Sequence, residues 1–420
     1  HSFPTRRSSD LSGAYVHLSN HIEVKEPLRQ FTDPAKDFVH SIVPDDKFIS
    51  SILDNIGAHT LTFPLLERNL TTIDANVMWP LFTGGKRIFA SRIGNRMVDL
   101  AKAGREEAGA TLLSELVETY YALRLAQRVV DVREQTFLGL QKHYRNAMKL
   151  EENGMINKAE RLFAQVTMDE ARRELESARK DLNVAQNALK VLLNVEDAIS
   201  INPSSPLFMN HDLPDELYFK NLVSTGSYIV SKLRIQEAMA DNQLKISKSA
   251  YIPTIALFGK QTLYAENLPK NLMPRTLVGV GFTWNIFDGL NREANIRQTR
   301  LTKQTLQLGR EKAQNELGVL VDKLYSEIQN AKDDVAALNT TIEMSRELVR
   351  IRKKSFQEGM ATSTDVIDAE TMLSKVQIAF LLAYYKYDVA LASLLSTCGM
   401  PESFWQYSRT GQTENFIFGK

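Results

Sequence analysis

The chain has 420 residues and 43% hydrophobic content, enough for two or three ordinary domains with a sizeable core, which excludes a disordered chain. Lys and Arg number 51 against 50 Asp and Glu, so no global field exists to attract nucleic acid or an anionic membrane surface. The single cysteine, Cys398, precludes an internal disulfide or a multi-cysteine metal site and reads as a buried small residue near a helix end.

No run approaches the ~18 consecutive apolar residues that a transmembrane helix requires, which excludes an α-helical inner-membrane protein. A β-barrel stays open, because its strands need only ~10 alternating residues each.

Residues 1–11 stand apart. Phe3-Pro4-Thr5-Arg6-Arg7-Ser8-Ser9-Asp10-Leu11 reads like a translated sequencing adapter, and no apolar stretch between Arg7 and Gly13 makes a signal peptide. The segment is expected to be non-native and outside the fold. A strand is expected at 13–19, followed by a long insertion, 21–70, helical around 46–56. Ile73, Ala75, Val77, Trp79 and Leu81 then alternate with Thr72, Asp74 and Asn76, the period-two pattern of a strand. Phe82 and Gly84 close it.

A helical pattern follows as far as Asn153-Gly154-Met155, where glycine permits a left-handed stop, and a second helix is expected over 156–195. The Ser-rich stretch 202–206 reads as a linker. A helix is expected over 214–249 and a strand over 252–263, entered through Pro253. Val278, Val280, Phe282, Trp284 and Ile286 then alternate with Gly279, Gly281, Thr283 and Asn285.

After Phe287-Asp288-Gly289 no proline interrupts residues 291–356, and a continuous helix there would be ~100 Å long at ~1.5 Å per residue. Its apolar positions Leu317, Val321, Leu324, Ile328, Ala331, Val335, Leu338, Ile342, Ser345 and Val349 step alternately by four and three. That ~3.5-residue period marks helices that supercoil left-handedly on their neighbours. Glu358-Gly359-Met360 ends it, a helix is expected over 364–395, and 401–420 reads as a C-terminal tail.

The chain contains a repeat. Trp79, Phe82, Gly84, Arg87 and Gly154 align with Trp284, Phe287, Gly289, Arg292 and Gly359, every pair 205 residues apart. The first copy spans 12–202 and the second 203–400, and the same shift carries the apolar seam onto Leu112, Leu116, Thr119, Leu123, Ala126, Val130, Arg133, Phe137, Leu140 and Tyr144. Four strands result. They cannot close a membrane barrel alone, since an open edge in hydrocarbon leaves backbone groups unpaired. Periodicity leaves two readings of the Trp-bearing face: lipid-facing surface, or the core side of a small soluble sheet.

This duplicated order of strand, Phe-x-Gly-Gly or Phe-Asp-Gly, long helix, glycine turn and second helix resembles the TolC-like outer membrane efflux protein family. Ser249-Ala250-Tyr251-Ile252-Pro253-Thr254, Phe356-Gln357-Glu358-Gly359 and Thr364-Asp365-Val366-Ile367-Asp368-Ala369 carry the resemblance most clearly. It implies a mainly α fold with a minor β part: a duplicated strand and long-helical-hairpin unit, forming a trimeric α-barrel in the periplasm and a shared 12-stranded β-barrel in the outer membrane.

The implied function is the outer-membrane channel subunit of a tripartite efflux or type I secretion system. The implied partners are two further copies, a periplasmic adaptor (membrane fusion protein), an inner-membrane pump and outer membrane lipid, with no catalysis and no cofactor. The adaptor would dock near Asn153, Gly154 and Met155 and near Glu358, Gly359 and Met360, although both turns depart from the family's commoner Val-Gly-Leu or Val-Gly-Thr. Asp365 and Asp368, three apart on one helical face, would ring the entrance with six carboxylates and favour cations; acids in a first helical turn also serve simply to offset the macrodipole. The family's Tyr, Arg and Asp latch is matched by Phe356, Ala361 and Glu160, which cannot make its hydrogen bonds.

By the same resemblance 21–70 is an enlarged extracellular loop, against only 264–275 in the second copy, and the helix over 214–249 has no counterpart before Gly13. A soluble periplasmic coiled-coil adaptor or scaffold is the alternative, which accounts for the heptads but not for the strands. Of His17, His21, His40, His59, His143 and His211 only His17 and His21 stand four apart, at the end of an expected strand rather than on one helix face, no HExxH occurs, and Gly279-x-Gly281 lacks a third glycine, so neither a metal nor a dinucleotide site is expected.

Overall fold

The computed structural model describes residues 8–19, 22–42, 47–66, 69–196, 201–266 and 274–414. Most of the adapter-like stretch, 1–7, and most of the second copy's outer connection, 267–273, lie outside the described residues. In chain order the elements are β1 (Ser8–His17), β2 (Ile22–Pro27), α1 (Arg29–Ile42), α2 (Lys47–Gly57), β3 (Thr60–Leu66), β4 (Asn69–Phe82), α3 (Lys86–Glu152) and α4 (Lys158–Leu193). There follow β5 (Phe208–Met209), α5 (Glu216–Gly226), α6 (Tyr228–Lys248), β6 (Thr254–Glu266), β7 (Thr276–Thr283), α7 (Asn291–Gln357), α8 (Ser363–Thr397), α9 (Phe404–Thr410) and β8 (Gln412–Thr413). They form two compact units, His1–Ile93 with Asp241–Arg300, and Gly94–Ala240 with Leu301–Lys420.

The first unit holds a four-stranded antiparallel sheet in the order β1-β4-β6-β7. β1 starts at Ser8, inside the stretch expected to lie outside the fold, and Ser8 to Leu11 pair with Met78 to Ala75. Pairing there is a backbone matter, and the exposed polar side chains of Ser9 and Asp10 place no demand on a core. β7 stops at Thr283, opposite Thr254, so Trp284 and Ile286 are not in the strand as their alternation suggested. The reason is the partner: Pro253 precedes Thr254 and has no N–H to extend the ladder. The insertion holds an antiparallel β2–β3 hairpin and two helices rather than one. α1 was hidden because Pro34 lies inside it, where sequence rules disfavour a helix.

The repeat is exact in length. α3 and α7 begin at Lys86 and Asn291 and end at Glu152 and Gln357, 205 residues apart at both ends. The buried side chains of α7 are the expected seam, Leu317 to Val349, with only Leu338 partly buried, and Phe356 extends it. The first copy's seam is different. Leu123 and Leu140 are buried as expected, but Leu112 is 54% exposed, and Ala110, Val117, Tyr121, Val132, Thr136, His143 and Ala147 line the buried face instead. The shift assumed equivalent neighbours; α3 instead turns Tyr121 onto Phe208 and Phe404, ring centroids 6.1 and 6.0 Å away.

α8 is the core helix, with Phe380, Tyr384, Tyr387, Leu391 and Leu395 all buried. It is also the one helix, among the described residues, long and apolar enough by composition to cross a membrane, which the search for unbroken apolar runs missed. Its apolar surface is taken up by α3, α5 and α7 side chains. The stretch 401–414 packs inward: Phe404 is buried, β8 pairs with β5, and the buried Glu414 carboxylate receives Arg124 and Arg128 at 2.8 and 3.2 Å. The helix expected over 214–249 is broken between α5 and α6, where Gly226 lies so close to the Cys398 carbonyl that a Cβ would sit 2.5 Å from it.

Candidate functional site

Strand register sorts the sheet's side chains onto two faces. Val77, Gly259 and Val278 stand in one cross-strand row and Trp79, Leu257 and Val280 in the next, while Ile255 pairs with Phe282 on the same face. This face is apolar and uncovered: Val77 is 50% exposed, Val278 68% and Phe282 75%. A sheet packed on a soluble core would bury those residues first. The other face carries Ser12, Asp74, Asn76, Lys260 and Thr262. Lys260 Nζ lies 2.8 Å from Asp74 Oδ2, Thr262 donates to Asp74 Oδ1 at 2.7 Å, and Asn76 donates to Ser12 Oγ at 2.9 Å. Nearer the α3 end, Met78, Pro80 and Phe258 interrupt that polarity and line a pocket of about 350 Å3.

Where strands meet helices the two copies use the same device. Gly84 and Gly289 have φ of +61° and +68°, and a Cβ on Gly84 would press on Ile252 at 3.0 Å. Thr83 Oγ1 accepts from Arg87 N at 3.4 Å and Asp288 Oδ2 from Arg292 N at 3.2 Å, equivalent caps on α3 and α7. Trp79, Phe82, Trp284 and Phe287 are all more than a third exposed. The Trp284 indole donates to the Tyr251 carbonyl at 3.1 Å. Arg292 donates to the Asn285 and Ile286 carbonyls at 2.9 and 2.8 Å and lies 4.6 Å over the Tyr251 ring. The Arg87 and Arg292 match was the only sequence signal for that brace.

The two glycine turns come together in the second unit. Gly154 and Gly359 have φ of +66° and +70°, with Met155 N donating to Leu150 O and Met360 N to Ser355 O, both at 2.8 Å. Met155, Glu160, Phe356, Gly359, Met360, Ala361 and Asp365 line one pocket of about 280 Å3. Asn153 and Glu358 are held outside it, Asn153 donating to Lys149 O at 2.6 Å and Glu358 lying 4.0 Å from Lys354.

Asp365 is committed locally. With Thr362 it forms a capping box on α8, its carboxylate accepting from Thr362 N at 2.9 Å and Thr362 Oγ1 at 2.8 Å, and Arg352 lies 3.2 Å away. Those Thr362 hydrogen bonds, with Arg352 adding, hold its pKa below the usual carboxylate value. Asp368, one turn on, is exposed.

One residue beside the turns escaped sequence reasoning. His143 of α3 is buried, stacks 4.6 Å from the Phe356 ring and shares a 2.7 Å hydrogen bond with Ser363 Oγ at the start of α8. Burial, and secondarily Lys353, pushes its pKa down to about 4. A lone histidine outside any metal spacing gave no signal.

An uncovered apolar sheet face backed by a polar one, in a chain of duplicated long helical hairpins, defines a protein whose sheet is built for a membrane. The sequence pattern of the outer membrane efflux protein family matches residues 67–195 and 229–400, and the chain belongs to that family. It is similar to the outer membrane efflux protein BepC of Brucella suis biovar 1 (strain 1330), 23% identical over 299 residues that cover 68% of this chain. It is 22% identical to the alkaline protease secretion protein AprF of Pseudomonas aeruginosa over 297 residues covering 69% of this chain. The matches span 63% and 61% of those relatives' own lengths. In fold the chain is similar to the outer membrane protein VceC of Vibrio cholerae, with a TM-score of 0.70 at 15% identity over 94% of this chain and 88% of that one.

Proposed function

We propose that this chain is one of three subunits of an outer-membrane export channel that extends into the periplasm of a Gram-negative type bacterium. The carrying observation is the four-stranded sheet, apolar and exposed on one face, polar on the other, with β1 and β7, among the described residues, each paired on one side only. In hydrocarbon those outer edges need partners at several kcal/mol per unpaired group. β1 and β7 run in opposite directions, so β7 of one copy can continue antiparallel onto β1 of the next. Three copies then close a ring of 12 strands, as the family resemblance implies, with the Asp74 and Lys260 face inward.

The helical hairpins of the same copies would form the periplasmic tunnel. The turns at 153–155 and 358–360 are the surface for a periplasmic adaptor linking the channel to an inner-membrane pump, of the efflux or type I secretion kind. The role is passive conduction, with no catalytic step. Asp368, with Asp365 behind it in the cap, is assigned to the cation-favouring ring at the tunnel's narrow end.

Three measurements test the reading. The protein should stay in washed membranes through carbonate extraction and, in detergent, have the mass of about three chains; release by carbonate or a monodisperse monomer overturns it. Asp365→Asn combined with Asp368→Asn should weaken cation block of conductance in planar bilayers, and an unchanged block removes the ring.

A further inference from the structure

A pocket of about 420 Å3 opens among α3, α7 and α8, all within the second unit of one chain. That volume suits a small molecule. Its α8 wall is polar and deeply buried: Glu370, Ser374 and Gln377 follow one another along one side of the helix at 7%, 1% and 5% exposure. The Ser374 hydroxyl has no hydrogen-bond partner, and a buried polar group left in that condition is costly. On α3, Gly139 gives the Glu370 carboxylate its place, because a Cβ there would lie 2.7 Å from Oε1. Glycine inside a helix is otherwise unfavourable.

The α7 wall is cationic. Arg346, Arg350 and Lys353 stand there, and among the described residues Glu370 is the one acid of the lining. Lys353 pairs with Glu370, while Arg350 Nε and Nη2 donate at 2.8 and 2.6 Å to Glu347, which lies outside the pocket. Three cations thus face one carboxylate, beside the Gln135 and Gln377 amides and the apolar Val349 and Leu373. Duplication did not bring this set along. The positions 205 residues away from Gly139, Lys353, Glu370 and Ser374 hold Met344, Met148, Gln165 and Asp169, so the arrangement belongs to this place in the chain and not to the hairpin in general.

We infer that the pocket binds a small organic anion, a carboxylate or phosphate monoester carrying a compact apolar group. Its charge meets the guanidinium groups of Arg346 and Arg350, its acceptor oxygen takes the Ser374 hydroxyl, and its apolar part lies on Val349 and Leu373. One chain supplies every group, so the site stands apart from the ring closure proposed above.

The experiment is isothermal titration of the full chain in detergent with benzoate and with phenyl phosphate, and with benzyl alcohol as the uncharged comparison. Saturable binding of one anion per chain is expected, with benzyl alcohol at least about tenfold weaker. The stronger of the two anions shows whether the site prefers a carboxylate or a phosphate. Binding of neither, or equal binding of benzyl alcohol, overturns the inference. Arg350→Gln should weaken the anion about tenfold, and Ser374→Ala about threefold with no loss of unfolding temperature. Glu347→Gln, which releases Arg350, should strengthen it. Affinity unchanged in all three variants overturns the site, as does an Arg350→Gln protein whose mass in detergent falls below that of the unmodified protein, since the pocket would then be a contact between copies.

Discussion

The two hairpins are equal in length and unequal in load. α4 and α8 start 205 residues apart, behind side-chain caps at Asn157 and Thr362, and end near the left-handed Asn194 and Gly399, again 205 apart. Yet α4 buries six of its 36 residues and α8 eighteen of its 35. Caps and turns act within a few residues and so survive duplication. Burial depends on neighbours. α8 lies among α3, α5 and α7, whereas α4 leaves Leu162, Phe163, Val166, Val184 and Val191 exposed, the face another copy would cover in the proposed ring. The asymmetry extends to charge. Asp388 of α8 is fully buried, its carboxylate accepting from Phe208 N at 3.4 Å, and burial holds its pKa well above the usual range.

The largest effect that could break this contrast is in the core of α8. Phe380→Ala, at 1% exposure, should remove about 3–5 kcal/mol from unfolding in detergent, while Val184→Ala on α4 should change it by less than about 0.5 kcal/mol. Equal losses would mean that the hairpins are loaded alike.

Next is the pH dependence at His143. Its folded pKa of about 4 lies below the ordinary 6.5, so the unfolded chain binds the proton more readily. The stability this supplies is complete above pH 6.5 and is lost as pH falls toward 4, in total about 3 kcal/mol. His143→Gln should flatten that slope in thermal melts across the range. No equivalent slope is expected from the other copy, where Leu348 occupies the matching position.

Gly154→Ala and Gly359→Ala sharpen the comparison from the other side. Both glycines have positive φ and open space around them, so each substitution should cost about 1–2 kcal/mol by backbone strain alone, and equally. A marked inequality in denaturant midpoints would show that the turns are not equivalent. The smallest effect is at Leu290, whose φ of +66° falls where the first copy has Gly85. Leu290→Gly should change stability by no more than a few tenths of a kcal/mol, in the stabilising direction, as strain relief slightly exceeds the added unfolded-state freedom. Thermal melts of the variant check it.

Much of the architecture was legible beforehand. The alternation around Val77 and Val280, the glycines at 84, 154, 289 and 359, and the seam from Leu317 to Val349 each report a local rule, and each appears in the structure. The candidate site was less legible. Asp365 and Asp368 share a helix face by spacing, but capping draws Asp365 back onto Thr362, a choice set by which group is nearest rather than by period. His143 carried no motif, because its importance comes from Phe356 and Ser363, more than 200 residues away in sequence.

The sequence by itself determined where the four long helices and their glycine turns begin and end, and that the unit occurs twice, because hydrogen-bond periodicity, capping and positive φ act over a few residues. Only the tertiary structure decided which side of α3 is buried, where β7 stops, that the residues after 400 join the core, and that the Trp79 face of the sheet is uncovered. Those are properties of neighbours, and a residue's own period cannot say who its neighbour will be.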